Sequence, residues 1–241
     1  MKGSAYIFGL WLVVLGGPAV QAQVNWGLTG GGSLVSFSPK QQPPPSPFGL
    51  INPGTYSSLS AWSAGVVAES PLSRHWALDA SLSYTGNGSH AFYGVYSFDG
   101  GQTSTFTMRL GYLRLPIEAI YQFNPGRRAR FMAGGGLYAA NALWGREKGS
   151  MVSIFGNGGP MTSSIDNRIA ITNKAPTPGD FYPTAVKPFD AGYTVMAAAQ
   201  WAHFRLIPSF SQGFVNLFPG ETFKGKNKGF SLSMVYWIHG G

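Results

Sequence analysis

A near match to a phosphate loop, four histidines and a few charges set among apolar residues are where this 241-residue chain could support chemistry. GETFKGKN (Gly220–Asn227) approaches G-x-x-x-x-G-K-[ST], whose backbone N–H groups cradle phosphates. Asn227 stands where the magnesium-binding hydroxyl belongs, and the residues after it alternate as a strand does, whereas a phosphate loop opens a helix. His203 precedes Ser209 and Ser211, which raises a Ser–His–acid hydrolase. Asp190, the candidate orienting acid, sits at the opposite end of the preceding segment. His75, His90, His203 and His239 do not pair at metal spacing, and without cysteine there is no thiolate site and no disulfide. The Asn87-Gly-Ser89 sequon reads as a turn. No catalytic, cofactor-binding or metal-binding residue is assigned, and the chain is read as a non-enzyme without a cofactor.

The charges point elsewhere. In YLRLPIEAIYQF (Tyr112–Phe123), Leu113, Leu115, Ile117, Ala119, Tyr121 and Phe123 alternate with Arg114, Pro116, Glu118, Ile120 and Gln122. A strand sends alternate side chains to opposite faces, so one face is continuously apolar and the other carries two opposite charges. The same alternation runs through Trp76–Thr85, with Asp79 on the polar face, and through Phe230–Ile238 and Tyr193–Trp201. It is weaker in Ala61–Glu69. Val24–Phe37, Arg130–Leu143 and Phe204–Phe214 read as strands interrupted by small residues or proline. The glycine runs at 30–32 and 134–136 fall inside strands, where glycine marks a bend or a close backbone approach. Pro116 and Pro208 are expected to sit at bulges.

These strands are joined alternately by long and short connections. Ser38–Ser58, Gly86–Thr105, Trp144–Pro188 and Asn216–Gly229 are long; Ser70–His75, Asn124–Ala129 and the corner at His203 are short. Short turns on one rim and long loops on the other, with an even number of antiparallel strands, is the pattern of an outer-membrane barrel. The fold class expected is all-β: an eight-stranded antiparallel up-and-down transmembrane barrel with four long external loops. Leu113, Leu115, Ile117 and Ala119 then face lipid, and Tyr121, Phe123 and Trp201 join an aromatic girdle beside the short turns. Arg114, Glu118, Arg205 and Asp79 face the lumen as a charge network, because eight strands leave an interior just filled by side chains and charges there must pair. Glu118 is expected to pair with Arg114, with Arg205 or with both.

Composition agrees. Charged residues are 11% of the chain, against about a quarter in soluble proteins. Aromatics reach 15% and the hydrophobic share is 44%, too high for a disordered chain. At the start, Lys2, the apolar run Tyr6–Leu15, the break at Gly16-Gly17-Pro18 and the small residues of Val20–Ala22 read as a signal peptide over 1–22, leaving a barrel domain over 23–241. The formal net charge of +8 raises an anionic membrane surface or nucleic acid. Export excludes nucleic acid in practice, and Lys224, Lys226 and Lys228 in the last long loop are candidate contacts for lipopolysaccharide phosphates.

YLRLPIEAIYQF, the following FMAGGGLYAA, GFVNLFPG leading into GFSLSMVYWI, and the glycine-rich VNWGLTGGGSLVSF resemble, in that order, the PorT-like outer-membrane β-barrel proteins of Bacteroidetes-type bacteria. The resemblance covers most of the mature chain. The chain departs from the family in its long fifth-to-sixth connection and in ending IHGG rather than on an aromatic residue. The resemblance implies an eight-stranded barrel in the outer membrane and, through PorT itself, a link to a protein-secretion and gliding apparatus. The function expected is a monomeric, structural or accessory barrel whose external loops contact surface components, lipopolysaccharide or other envelope proteins. The alternatives are a small-solute channel or uptake accessory, a lipid-modifying enzyme, and a soluble barrel holding an apolar ligand.

Overall fold

The structure, a computed structural model, describes residues 24–39, 50–97, 100–123, 128–155, 158–174, 185–219 and 225–239. The expected signal peptide lies outside them. The strands are β1 (Asn25–Pro39), β2 (Leu50–Ser57), β3 (Leu59–Pro71), β4 (Trp76–Ser97), β5 (Gly100–Gln122), β6 (Ala129–Phe155), β7 (Met161–Arg168), β8 (Ala170–Ile171), β9 (Ala185–Val186), β10 (Phe189–Trp201), β11 (Phe204–Gly213) and β12 (Gly225–His239). Eight of them, β1, β3, β4, β5, β6, β10, β11 and β12, pair antiparallel with their neighbours, and β1 pairs β12 to close the ring. This is an eight-stranded antiparallel up-and-down barrel. Closure leaves the ring no open edge, where lipid would offer its backbone groups no partner.

Alternation decides which face each side chain takes. On β5, Leu113 and Ile117 are exposed on the outer wall while Ile120 and Gln122 are buried inside. The outer wall continues through Leu28, Val66, Leu82, Leu137, Val195, Leu232 and Met234, all exposed. Aromatic residues ring both ends of this apolar wall. Near the short turns, Trp76 and Phe123 each pack on Tyr121 with ring centroids 5.2 Å apart, and Phe204 packs on Tyr236 at 5.3 Å. Trp201 is exposed beside them. At the other end, Trp62 packs on Tyr84 at 4.9 Å, and Trp144 donates its indole N–H to the Tyr84 hydroxyl at 3.2 Å. Two such girdles flanking an apolar band are what a lipid bilayer selects.

The long external connections carry strand along much of their length. β4 and β5 stay paired from Trp76↔Tyr121 to Ser97↔Gly100, and β5 and β6 stay paired out to Gly100↔Phe155. β2 pairs the far half of β4, and β7 pairs the far half of β6. A five-stranded blade therefore stands on one side of the external rim. The Asn87-Gly-Ser89 sequence lies inside β4 rather than at a turn: Gly88 takes φ 148°, a conformation that favours glycine, and its N–H donates to Asn87 Oδ1 at 2.8 Å.

The register shifts between Gly111 and Tyr112, where β6 places an extra residue, Leu143, between the partners of those two. Below this bulge the outward positions are apolar and the inward ones carry the charges, with a few apolar side chains such as Ile120 among them. Above it the pattern inverts: Phe106, Met108 and Leu110 are buried inside, while Thr105 and Arg109 face out. The inversion marks the height at which the outer wall leaves lipid for water.

The prolines do not sit at bulges. The register runs unshifted past Pro116 and Pro208. Each interrupts its ladder on one side only: Ala80↔Ile117 and Ser83↔Arg114 pair around the first, and Met196↔Ser209 and Ala199↔Leu206 around the second. A missing N–H costs one ladder bond and leaves the other side intact.

Candidate functional site

The lumen is the enclosed polar region of the barrel. Three carboxylates line up on adjacent strands near the short-turn end. Glu69 on β3 lies opposite Asp79 on β4, and Asp79 lies opposite Glu118 on β5. Like charges directly opposite repel. The relief comes from across the lumen. Arg205, the second residue of β11 and 1% exposed, donates Nη1 to Asp79 Oδ2 at 2.8 Å and Nη2 to Glu69 Oε2. Its Nε and Nη2 also donate to Gln200 Oε1 at 2.9 and 2.8 Å, and the guanidinium lies over the Trp237 ring at 4.7 Å. One buried arginine thus ties β11 and β10 to β3 and β4.

The structure therefore brings together Arg205 and Asp79 of the four expected network residues. Glu69 and Gln200 join them. Both occupy inward positions, so alternation alone marks them as candidates. Among the described residues no ion pair joins Glu118 to Arg114 or to Arg205. Arg114 lies instead over the Tyr138 ring, 4.0 Å from its centroid.

A second cluster sits higher. Asp190 Oδ2 accepts from Asn227 Nδ2 at 2.7 Å and from the Tyr138 hydroxyl at 3.1 Å, joining β10, β12 and β6. Between the two clusters lies a cavity of about 140 Å³, lined by small hydroxyl residues such as Ser63, Ser83, Thr194, Ser209 and Ser231. Asp79 Oδ1, Arg114 Nε, Asp190 Oδ1 and Asn227 Oδ1, from residues lining it, have no protein hydrogen-bond partner. Water is the partner such a cavity admits, with room for roughly ten molecules.

Above the Asp190 cluster the interior is apolar. Phe37, Phe106, Met108 and Leu110 pack with Leu217 and Phe218, which the β11–β12 connection tucks inward. Phe37 and Phe218 meet edge to face at 5.6 Å, and Lys187 N–H donates to Leu217 O at 2.6 Å to hold that connection in place. The lumen is thus crossed by an ionic knot at one level and an apolar plug at another.

The hydroxyls and imidazoles do not converge. Ser209 Oγ and Ser231 Oγ share a hydrogen bond of 2.7 Å inside the lumen, while His203 sits at the β10–β11 turn, with its ring 6.1 Å from that of Tyr236. His75 Nδ1 lies 3.0 Å from Gln122 O and His90 Nδ1 lies 2.7 Å from Thr107 Oγ1. Among the described residues no group of three or more His, Asp or Glu could hold a metal ion, and no helix is long and apolar enough to cross a membrane.

On the external rim, Lys228 and Lys226 take the next two outward positions on β12 beyond Phe230; Lys224 lies outside the described residues. On the blade, Arg146 Nε and Nη2 donate to Asp166 at 2.7 and 2.9 Å, and Lys148 Nζ lies 3.6 Å from the same carboxylate. The hydrogen bond from Arg146 holds the Asp166 carboxyl below the usual aspartate range. Glu147, facing the blade's packed side, is pushed upward by burial, opposed by the Asn167 Nδ2 donor at 2.9 Å.

A family model described as outer membrane protein beta-barrel domain matches residues 21–219. No curated protein matches the chain in sequence. Among solved structures, OprG of Pseudomonas aeruginosa is 10% identical, with 92% of this chain and 100% of that one covered and a TM-score of 0.40. Neisserial surface protein A is 12% identical over 88% and 96%, with a TM-score of 0.39, and Ail of Yersinia pestis is 10% identical over 89% and 99%, with a TM-score of 0.38. With a closed eight-stranded ring, an apolar outer wall between two aromatic girdles, and a family match over most of its length, the chain belongs to the outer membrane protein beta-barrel domain family.

Proposed function

We propose that this protein is a non-enzymatic, structural or accessory barrel of the outer membrane, exported by the signal peptide over 1–22, and that its external blade is its working surface. The observation that carries this reading is the double closure of the lumen. Arg205 with Glu69 and Asp79 crosses it at one level, and Leu217 and Phe218 against Phe37 cross it at another. A barrel closed twice offers other molecules its rim and not its interior. The blade built from β2, β4, β5, β6 and β7 is the largest feature there. A PorT-type role beside a secretion apparatus is one form this function takes, with the barrel a monomer and the blade meeting another envelope protein. Lys226 and Lys228, just above the lipid-facing Phe230, suit contact with lipopolysaccharide phosphates, with Lys224 as a third candidate.

The chain has no cysteine, so Ser163→Cys on β7 gives a unique attachment point for a photo-crosslinker in whole cells. A specific adduct with an envelope protein supports the reading. Its absence at this and at a second site, Thr105→Cys on β5, counts against a protein partner for the blade.

The runner-up is a small-solute channel, favoured by the hydroxyl-lined cavity of about 140 Å³. Planar bilayer recording separates the two: discrete conductance steps from the native barrel would establish the channel and overturn the closed-lumen reading.

A further inference from the structure

We propose that Arg109, Arg146 and Arg168 form a phosphate-binding row on the outer wall, and that its occupant is the phosphorylated head of outer-leaflet lipopolysaccharide. The proposal rests on the outer-membrane reading above but not on the lysine contact. The register puts Arg109 on β5 directly opposite Arg146 on β6, and Arg146 directly opposite Arg168 on β7. Directly opposed residues share a face, and all three are exposed. Their Cα atoms are therefore about 4.5–5.5 Å from one strand to the next. Three guanidiniums in line repel one another, and like charges in direct opposition destabilise a sheet. Lys148 adds a fourth positive charge one strand step further on. Among the described residues Asp166 is the single carboxylate paired in this patch, taken by Arg146 at 2.7 Å and approached by Lys148 at 3.6 Å. Neither Arg109 nor Arg168 has an ion pair among the described residues. With one carboxylate set against four positive charges, the patch keeps a net positive charge, and the unpaired planar donors of Arg109 and Arg168 on either side of Arg146 match the bidentate geometry of phosphate oxygens.

Height identifies the source of the phosphate. Arg109 is the first outward-facing residue above the Gly111–Tyr112 bulge, and Leu113, the next outward position below, is on the lipid-facing wall. Arg146 follows Trp144 of the external girdle by two residues, about 6.6 Å along the strand. The row therefore stands at headgroup level, where a lipid phosphate arrives tethered to its acyl chains and a soluble anion does not. It also stands on the opposite side of the ring from Lys226 and Lys228 on β12, since β5 and β12 are four strands apart in either direction around eight.

The test titrates diphosphorylated lipid A in detergent micelles into the refolded barrel by calorimetry, at low and at physiological salt. Arg109→Gln/Arg146→Gln/Arg168→Gln is compared with the native chain, and heat-dependent gel mobility verifies that each variant folds; because all three side chains are exposed, it should. The expected result is an at least tenfold loss of affinity in the triple variant, with dephosphorylated lipid A binding the native chain as weakly as the variant. Affinity within twofold of native overturns the proposal, as does equal binding of dephosphorylated lipid A. A loss confined to Lys226→Gln/Lys228→Gln also overturns it while leaving the lysine contact standing. Arginine-dependent binding of a soluble sulfated glycan without binding of lipid A would overturn the lipid as occupant.

Discussion

Arg205 on β11 and Asp79 on β4 meet across the lumen at 2.8 Å, although 126 residues separate them in the chain. The guanidinium has Trp237 beneath it and Glu69 and Gln200 as further acceptors, so every direction it faces is occupied. A buried pair of this kind is weak evidence for added stability, but removing one partner leaves the others uncompensated.

Arg205→Met should therefore destabilise the barrel by about 3–5 kcal/mol, whereas the combined Arg205→Met, Glu69→Gln, Asp79→Asn variant should recover most of the loss. Urea unfolding in lipid vesicles measures both. Equal losses in the two would mean that the knot acts through packing rather than charge.

The double closure predicts a conditional conductance. Leu217→Ala/Phe218→Ala removes the apolar plug but leaves the Arg205 knot, so bilayer recordings should remain silent. Adding Glu69→Ala, Asp79→Ala and Arg205→Ala should open discrete steps. Conductance from the first variant alone would show that the knot does not close the lumen.

Gly136 and Gly32 make a controlled pair. A Cβ on Gly136 would lie 1.9 Å from the Ile117 carbonyl oxygen, a backbone atom that cannot swing aside, while a Cβ on Gly32 meets nothing within 4 Å. Gly136→Ala should cost about 1–3 kcal/mol. Gly32→Ala should be neutral or stabilise by about 0.4–1 kcal/mol through the unfolded chain. Refolding yield read from gel mobility ranks the two.

The blade's β6–β7 hairpin should respond to pH in two opposite ways. Asp166 is held below its ordinary value by Arg146, so its contribution is present above the usual aspartate pKa of about 3.9 and is lost as pH falls through the depressed value. Glu147 is raised by burial, so the hairpin loses stability as pH rises from the ordinary glutamate value through the elevated one. Amide protection over 161–168, the slowing of exchange relative to the unfolded chain at the same pH, should thus be greatest at mildly acidic pH. Glu147→Gln, which keeps an acceptor for Asn167, should raise protection at neutral pH and remove its loss on the alkaline side. An unchanged profile would show that burial of Glu147 does not tax the hairpin.

The sequence by itself determined the ring and its two faces. Alternation in Leu113–Phe123, Trp76–Thr85 and Phe230–Ile238 placed their side chains inside or outside because a strand has period two, and the alternation of long and short connections set the topology. Arg205 and Asp79 were legible as lumen charges for the same reason. Their partners were not. Period two says that Glu69, Asp79 and Glu118 point inward, but which of them Arg205 reaches depends on the shear of the closed ring, which sets the height at which β11 faces β3 and β4. The blade was hidden for a different reason. TFTMRL (Thr105–Leu110) alternates clearly, but with apolar residues inside and polar outside, the inverse of the strand below it. On β5 the odd-numbered residues face out on both sides of the Gly111–Tyr112 shift, so what reverses is the medium: there the outer wall passes from lipid to water and the burial rule with it. The arginine row was likewise beyond the sequence: Arg109, Arg146 and Arg168 are scattered over 60 positions and become neighbours only through the register of three paired strands.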